Sequence, residues 1–143
     1  MSKVVIVYWS GTGNTQAMAE AVWEGAKESC PACACFSVSD ITASDAAGYD
    51  ILLLGCPAMG AEVLEEEEFE PFFSELEPSL TGKNVALFGS YGWGDGEWMR
   101  NWEERVRAAG AVLFEEEGLM INEMPDNAGL AQCREFGKRA AAL

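Results

Sequence analysis

The sequence predicts an α/β domain, a parallel β-sheet with helices on both faces in a three-layer sandwich. Three observations carry this expectation. Strand-type and helix-type segments alternate from end to end, which implies right-handed βαβ crossovers. The strand-type runs are too uniformly apolar for a sheet with one wet face, so both faces must be covered. The 143 residues, 49% of them apolar and 23% charged, suffice for one full core with no room for a second domain of ordinary size. One domain is therefore expected over residues 1–143.

Taken in chain order, Val4-Val5-Ile6-Val7-Tyr8 is a β-branched run that suits a central strand. After the turn Ser10-Gly11-Thr12-Gly13, Met18, Ala21, Val22 and Gly25 fall on one face of a helix expected over about 14–28. A second strand is expected over 35–38 and a third over 50–55, where Ile51-Leu52-Leu53-Leu54 is again fully apolar. Phe69, Phe72, Phe73 and Leu76 stand at i, i+3, i+4 and i+7, a core-facing helix stripe that tolerates Pro71 in its first turn. Residues 83–90 supply a fourth strand, and Trp98, Trp102 and Val106 mark the next helix. Residues 112–121 hold a fifth strand, and a last helix covers about 127–142. The Glu65-Glu66-Glu67-Glu68 block is expected to be a solvated face at a helix start.

Charge and composition exclude several functions. Nine Lys and Arg against 24 Asp and Glu leave a formal charge of −15, which repels nucleic acid and anionic membranes and favours partners with basic faces. Histidine is absent, which removes Ser-His-Asp and Cys-His catalysis and His-ligated zinc. No apolar run approaches the ~18–20 residues of a membrane span. The chain enters β-like sequence at once, so no signal peptide is expected. Five cysteines, an odd number, suit a reducing cytoplasm and free thiols. Cys30, Cys33 and Cys35 follow the first helix rather than precede it. A reactive thiolate is disfavoured at that negative end, and a fourth metal ligand would have to be the distant Cys56 or Cys133. They read as small buried or edge residues, and no metal site is expected.

Ligands of open α/β sheets bind beyond the carboxyl ends of the strands, which singles out three loops. Ser10-Gly11-Thr12-Gly13-Asn14-Thr15 offers three hydroxyls, an amide and free N–H groups where a helix starts, with no Lys or Arg. That is a cradle for a terminal phosphate held by helix N–H groups and the dipole. It lacks the Gly-Lys-Ser/Thr ending of a P-loop, and Gln16 stands where a dinucleotide fingerprint needs its third small residue. The second loop, Cys56-Pro57-Ala58-Met59-Gly60-Ala61-Glu62, and the third, Ser90-Tyr91-Gly92-Trp93-Gly94-Asp95-Gly96-Glu97, each place a large apolar side chain at a strand end. Together they describe a slot for a planar ring beside the phosphate cradle.

Tyr8 to Thr15, Ala58-Met59-Gly60, residues 62–72 and Phe88-Gly89-Ser90-Tyr91-Gly92-Trp93-Gly94-Asp95-Gly96 resemble the flavodoxins, in particular the short-chain clostridial type, and the likeness runs from Lys3 to Leu143. Flavodoxins are themselves the standard example of the strand order 2-1-3-4-5 with FMN at the β1/β3 switch point, so that order and the five-stranded flavodoxin-like sheet are implied by the resemblance. It also implies that Ser10, Thr12, Asn14 and Thr15, with the backbone at Gly11 and Gly13, bind the FMN phosphate. Met59, flanked by Ala58, would pack on the inner face of the isoalloxazine and Trp93 on the outer. Glu62 would accept from flavin N3–H and backbone groups near Gly92 would meet the pyrimidine edge, with Ser90, Tyr91 and Gly94 also among the cofactor-binding residues. Met59-Gly60-Ala61-Glu62 would form a turn whose central peptide can flip, with positive φ at Gly60. Two positions depart from the pattern: Pro57 stands where relatives often carry a phosphate-binding Ser, and Ala61 where they carry Asp.

The implied function is a low-potential one-electron carrier with non-covalent FMN, working between semiquinone and hydroquinone, with no catalytic residues and no turnover of its own. It would be a cytoplasmic monomer that docks on redox proteins with basic faces. A quinone reductase on the same fold would need a substrate pocket where Trp93 stands. A receiver module would need an acidic pair and a phosphoacceptor Asp where Ser10 and Cys56 stand, and a Cys56 phosphatase would need a following arginine.

Overall fold

The computed structural model describes residues 2–143. The elements run β1 (Val4–Tyr8), α1 (Asn14–Ser29), β2 (Ala34–Ser37), α2 (Ala43–Ala46), β3 (Ile51–Gly55), α3 (Phe69–Leu76), β4 (Asn84–Tyr91), α4 (Glu97–Ala108), β5 (Val112–Leu113), β6 (Leu119–Asn122) and α5 (Asn127–Ala140). The sheet is parallel, in the order β2-β1-β3-β4-β5, with β6 also paired to β4. This is the expected strand order.

Register explains why the strand runs are apolar throughout. Ala34, Val5, Leu52, Val85 and Leu113 lie side by side across the sheet, and so do Cys35, Ile6, Leu53 and Ala86 in the next row. Side chains alternate faces along a strand, so the first row packs with Phe69, Phe73, Leu76, Trp98 and Trp102 of α3 and α4. The second packs with Met18, Val22 and Phe136 of α1 and α5. Helices α2, α3 and α4 thus cover one face, and α1 and α5 the other.

On the α1/α5 face the two helices meet through glycines. A Cβ at Gly25 would overlap the carbonyl oxygen of Arg134, and one at Gly137 would overlap that of Val22. The backbones therefore approach more closely than any side chain there would permit. On the opposite face Arg105 of α4 sits 4.8 Å over the Phe73 ring and bonds Glu70 at 2.6 and 2.8 Å and Glu77 at 2.8 and 3.2 Å. It clamps α3 to α4.

The structure corrects the sequence reading in three places. The fifth strand expected over 112–121 is two short strands, because residues 114–118 leave the ladder. Glu115 and Glu116 adopt left-handed φ of 57° and 64°, and the Gly118 N–H donates to the Glu103 carboxylate at 2.8 Å instead of to a strand. The short helix α2 was not anticipated; four residues are too few to show a period. The glutamate block is not uniformly solvated either, since Glu66, Glu67 and Glu68 are exposed but Glu65 is buried.

Candidate functional site

Strands β1, β3 and β4 end side by side, so the three loops that follow them converge. The ladder continues past the strand ends through Trp9 N–H to the Gly55 carbonyl at 3.0 Å, Cys56 to Phe88 at 3.1 Å and Ala58 to Ser90 at 3.1 Å. These bonds hold Trp9 against the end of β3 and residues 56 and 58 against β4. A cavity of about 240 Å³ opens between the loops. The first loop lines it with Ser10, Gly11, Thr12, Asn14 and Thr15, the second with Ala58 and Met59, and the third with Ser90, Tyr91 and Gly92. Ten of the sixteen expected site residues are thereby brought together.

The first loop is built to expose N–H groups. Ser10 Oγ accepts from the Gly13 N–H at 3.1 Å, closing a tight turn. Gly13 takes φ 98° as the residue before α1. The first backbone bond of the helix is Ala17 N–H to the Gly13 carbonyl at 3.0 Å. Among the described residues, the N–H groups of Asn14, Thr15 and Gln16 have no protein acceptor. These donors and the positive end of the α1 dipole are what an anion needs. Thr15 is buried, and its Oγ1 accepts from the Ser90 N–H at 3.3 Å, which ties the cradle to β4. Ser90 spends its own hydroxyl on the Glu123 carbonyl at 2.8 Å.

Gly13, Gly60, Ala61, Glu62, Trp93 and Gly94 do not line the cavity. Trp93 stands 64% exposed, although a ring of that size gains from burial. Met59 and Val63 pair as an antiparallel bridge, with N–H to carbonyl distances of 2.9 and 3.2 Å. The turn thus closes at Val63 around three residues, one later than the four-residue turn expected. Gly60 has the expected positive φ, 25°, and Glu62 has a second, 55°. Three-residue hairpin loops end on just such a left-handed residue. Glu62 is only 9% exposed, and its Oε1 accepts from the N–H groups of Gly96 and Glu97 at 3.3 and 3.0 Å, while Oε2 has no hydrogen-bond partner among the described residues.

Two residues outside the expected set of site residues belong to the site wall. Trp9 lines the cavity and donates its indole N–H to Glu68 at 3.2 Å, and Pro57 lines it as well. Glu65 was misread as surface. It is 6% exposed, and its carboxylate accepts from the N–H groups of Glu67, Glu68 and Phe69 at 2.9, 2.8 and 2.8 Å. Burial pushes its carboxyl up, yet the three backbone donors outweigh burial and hold it below the ordinary range. The spacing from Glu65 to Phe69, a carboxylate ahead of a helix that lacks a cap of its own, was the one available sequence cue.

A folded value below the unfolded one means that the ionised Glu65 stabilises the fold. That contribution is complete above the ordinary Glu pKa of about 4.3 and is lost as pH falls through the lowered folded value. Glu65→Gln is expected to lower stability by about 1–3 kcal/mol at pH 7. Denaturant melts should show the gap to wild type shrinking in acid; a gap independent of pH would remove the carboxylate from this role.

Cys30, Cys33, Cys56 and Cys133 are buried, and Cys35 is half-buried on the edge strand β2. Burial pushes Cys35 and Cys133 up to about 12 and also raises Cys33 and Cys56. Cys56 is fully buried, its sulfur accepting from the Glu65 N–H at 3.4 Å, so it is no nucleophile.

The arrangement suits a phosphate monoester joined to a flat, largely apolar ring. The cavity carries the unpaired helix N–H groups and hydroxyls of one loop and the apolar Ala58 and Met59 of the next, and the exposed Trp93 directly follows Gly92 of its lining. FMN fits that set of groups. The profile of the flavodoxin family matches residues 6–137. A flavodoxin from Clostridium beijerinckii is 54% identical over 138 residues, covering 96% of this chain and 99% of that one. A flavodoxin from Megasphaera elsdenii is 49% identical over 138 residues, covering 96% and 98%. The solution structure of two-electron reduced Megasphaera elsdenii flavodoxin superposes with a TM-score of 0.88 at 48% identity, covering 98% of this chain and 99% of that chain.

Proposed function

The chain belongs to the flavodoxin family and is an FMN-binding electron carrier rather than an enzyme; from that premise we propose how its own residues hold the cofactor and choose its partners. The observation that carries the reading is that one cavity joins unpaired N–H groups of a helix N-terminus to the apolar Ala58 and Met59. Asn14, Thr15 and Gln16 offer backbone donors to the phosphate, and the hydroxyls of Ser10, Thr12 and Thr15 and the Asn14 amide complete the shell. No cation is needed there, because the donors and the dipole stabilise the dianion. Pro57 contributes neither a hydroxyl nor an N–H, so the shell is one donor poorer on that side. Met59 packs under the ring and Trp93 over it, which accounts for an exposed indole between two glycines.

When bound, FMN supplies one-electron chemistry. The protein sets its potential through hydrogen bonds and charge. The Gly60-Ala61-Glu62 loop presents peptide groups to the ring edge, and Gly60 allows one of them to turn. Exposed Glu66, Glu67, Asp95 and Glu97 disfavour added negative charge on the ring. One carboxylate at ~10 Å with an effective dielectric of ~20 costs ~1.7 kcal/mol before screening, so several favour a low potential. Arg100 pairs with Asp95 at 2.9 Å and also feels the charges of Glu62 and Glu97, so it offsets part of this acidic field. The acidic rim is narrower than the sequence suggests, since Glu65 is buried with its carboxylate on backbone N–H groups and Glu62 is buried with one oxygen on such groups. Partners with basic docking faces complement what remains.

A monomer in the cytoplasm is part of the same proposal. The five free cysteines suit a reducing compartment. Titration of apoprotein with FMN, riboflavin and FAD tests the site. FMN is expected to bind more tightly than riboflavin by a factor of about ten or more, as charge-assisted bonds to phosphate require. Equal affinities would refute the phosphate cradle.

A further inference from the structure

Helix α4 has no cap of its own: Gly96 precedes it with φ 95° and has no side-chain oxygen to offer. Its first N–H groups are satisfied instead by Glu62, from a loop 34 residues upstream. To reach them, Glu62 adopts left-handed φ of 55°, unfavourable for a residue with a Cβ and kept only where the surroundings demand it. The carboxylate then lies directly over Gly94. A Cβ at Gly94 would stand 2.5 Å from Glu62 Cδ, 2.6 Å from Oε1 and 2.8 Å from Oε2. Both loops that flank the ring slot thus share one carboxylate, and that carboxylate has room only because residue 94 carries no side chain.

We infer that Gly94 is a positioning residue for the cofactor site: its bare backbone keeps open the slot in which Glu62 latches the 60–62 loop to the N-terminus of α4. With the latch closed, the turn at Met59 and the loop at Trp93 hold one fixed spacing. Glu62 Oε2 stays free as an acceptor for an N–H donor on the edge of a bound ring. The consequence for FMN rests on the cofactor reading above, whereas the latch belongs to the protein alone.

Four variants separate the two. Gly82→Ala is the control for backbone strain, since Gly82 has φ 80° with nothing within 4 Å of a Cβ and is not in the site. It should leave FMN affinity within about twofold of wild type, whereas Gly94→Ala should weaken it about tenfold. In a Glu62→Ala background, Gly94→Ala should add less than about twofold, because the group it displaces is gone. In apoprotein spectra, Glu62→Ala and Gly94→Ala should shift the Gly96 and Glu97 amide resonances alike, and Gly82→Ala should not. Loss of affinity from Gly94→Ala that persists in full without Glu62 overturns the positioning role, and so do Gly96 and Glu97 amides unmoved by Glu62→Ala. Should Gly94→Ala fail to fold, the amide shifts in Glu62→Ala still decide the latch. Wild-type apoprotein that ignores FMN would refute the cofactor reading and leave the amide test standing.

Discussion

Gly137→Ala is expected to destabilise the protein by about 3 kcal/mol, although the same change in an exposed helix stabilises by about 1 kcal/mol. The sign reverses because residue 137 faces helix α1 at backbone contact. Its Cβ would overlap the Val22 carbonyl, and Gly25 faces the Arg134 carbonyl in the reciprocal arrangement. Backbone cannot rotate aside as a side-chain end can, so α1 and α5 must move apart. Met18, Val22 and Phe136, all buried against the sheet, then lose packing together. Gly25→Ala should behave alike for the same reason. Gly129→Ala in the same helix is the comparison: its Cβ would meet the Ile121 Cδ1 and Pro125 Cβ at 3.3 Å, contacts that a small shift relieves. Denaturant unfolding of the apoproteins measures all three, and losses below about 0.5 kcal/mol for Gly25→Ala and Gly137→Ala would mean that the helices can part without strain.

The second large effect is on partner association. With a redox protein that presents a basic face, the second-order rate should fall about tenfold or more between 0.01 M and 0.1 M salt. The Debye length contracts from ~30 Å to ~10 Å over that range, so an acidic rim acts at long reach only in the dilute buffer. Charge complementarity raises encounter rate more than final affinity, which suits a carrier that must leave after docking. Glu66→Gln with Glu67→Gln and Glu97→Gln should flatten the salt dependence, since all three are exposed and near the site loops. Glu65 must be left intact in that variant, because its carboxylate holds the start of α3. Stopped-flow traces decide between a docking rim and an evenly spread charge of −15 that serves solubility alone. A rate that ignores salt, or is unchanged by the triple substitution, selects the second.

The order of elements and the turn at 10–15 that starts α1 were legible in the sequence because both are local. Apolar runs such as 51–54 and the 69/72/73/76 stripe carry their own period, and Ser10 to Thr15 is contiguous, so its hydroxyls and N–H groups converge without help from the rest of the chain. Met59 and Trp93 stood out for a related reason, as bulky apolar residues among glycines and outside any stripe. Five strands were expected where six occur, since the break at 114–118 depends on the Glu103 carboxylate taking the Gly118 N–H.

What only the tertiary structure decided concerns carboxylates and close approaches. Sequence reads the Glu65–Glu68 block as a solvated face, because an isolated carboxylate avoids burial, and makes Glu62 a ring contact only through the family resemblance. Folding buries Glu65 on three N–H groups of the following turn and Glu62 on two N–H groups 34 and 35 residues away. The partners of Glu62 exist only once β3 and β4 lie side by side. The same holds for Gly25, Gly137 and Gly94, whose missing side chains are explained by atoms distant in sequence. Local propensity and periodicity thus determined which segments form and where the cradle lies. The pairing of distant backbone donors with acceptors, which no period encodes, decided which charges are interior and which remain to meet a partner.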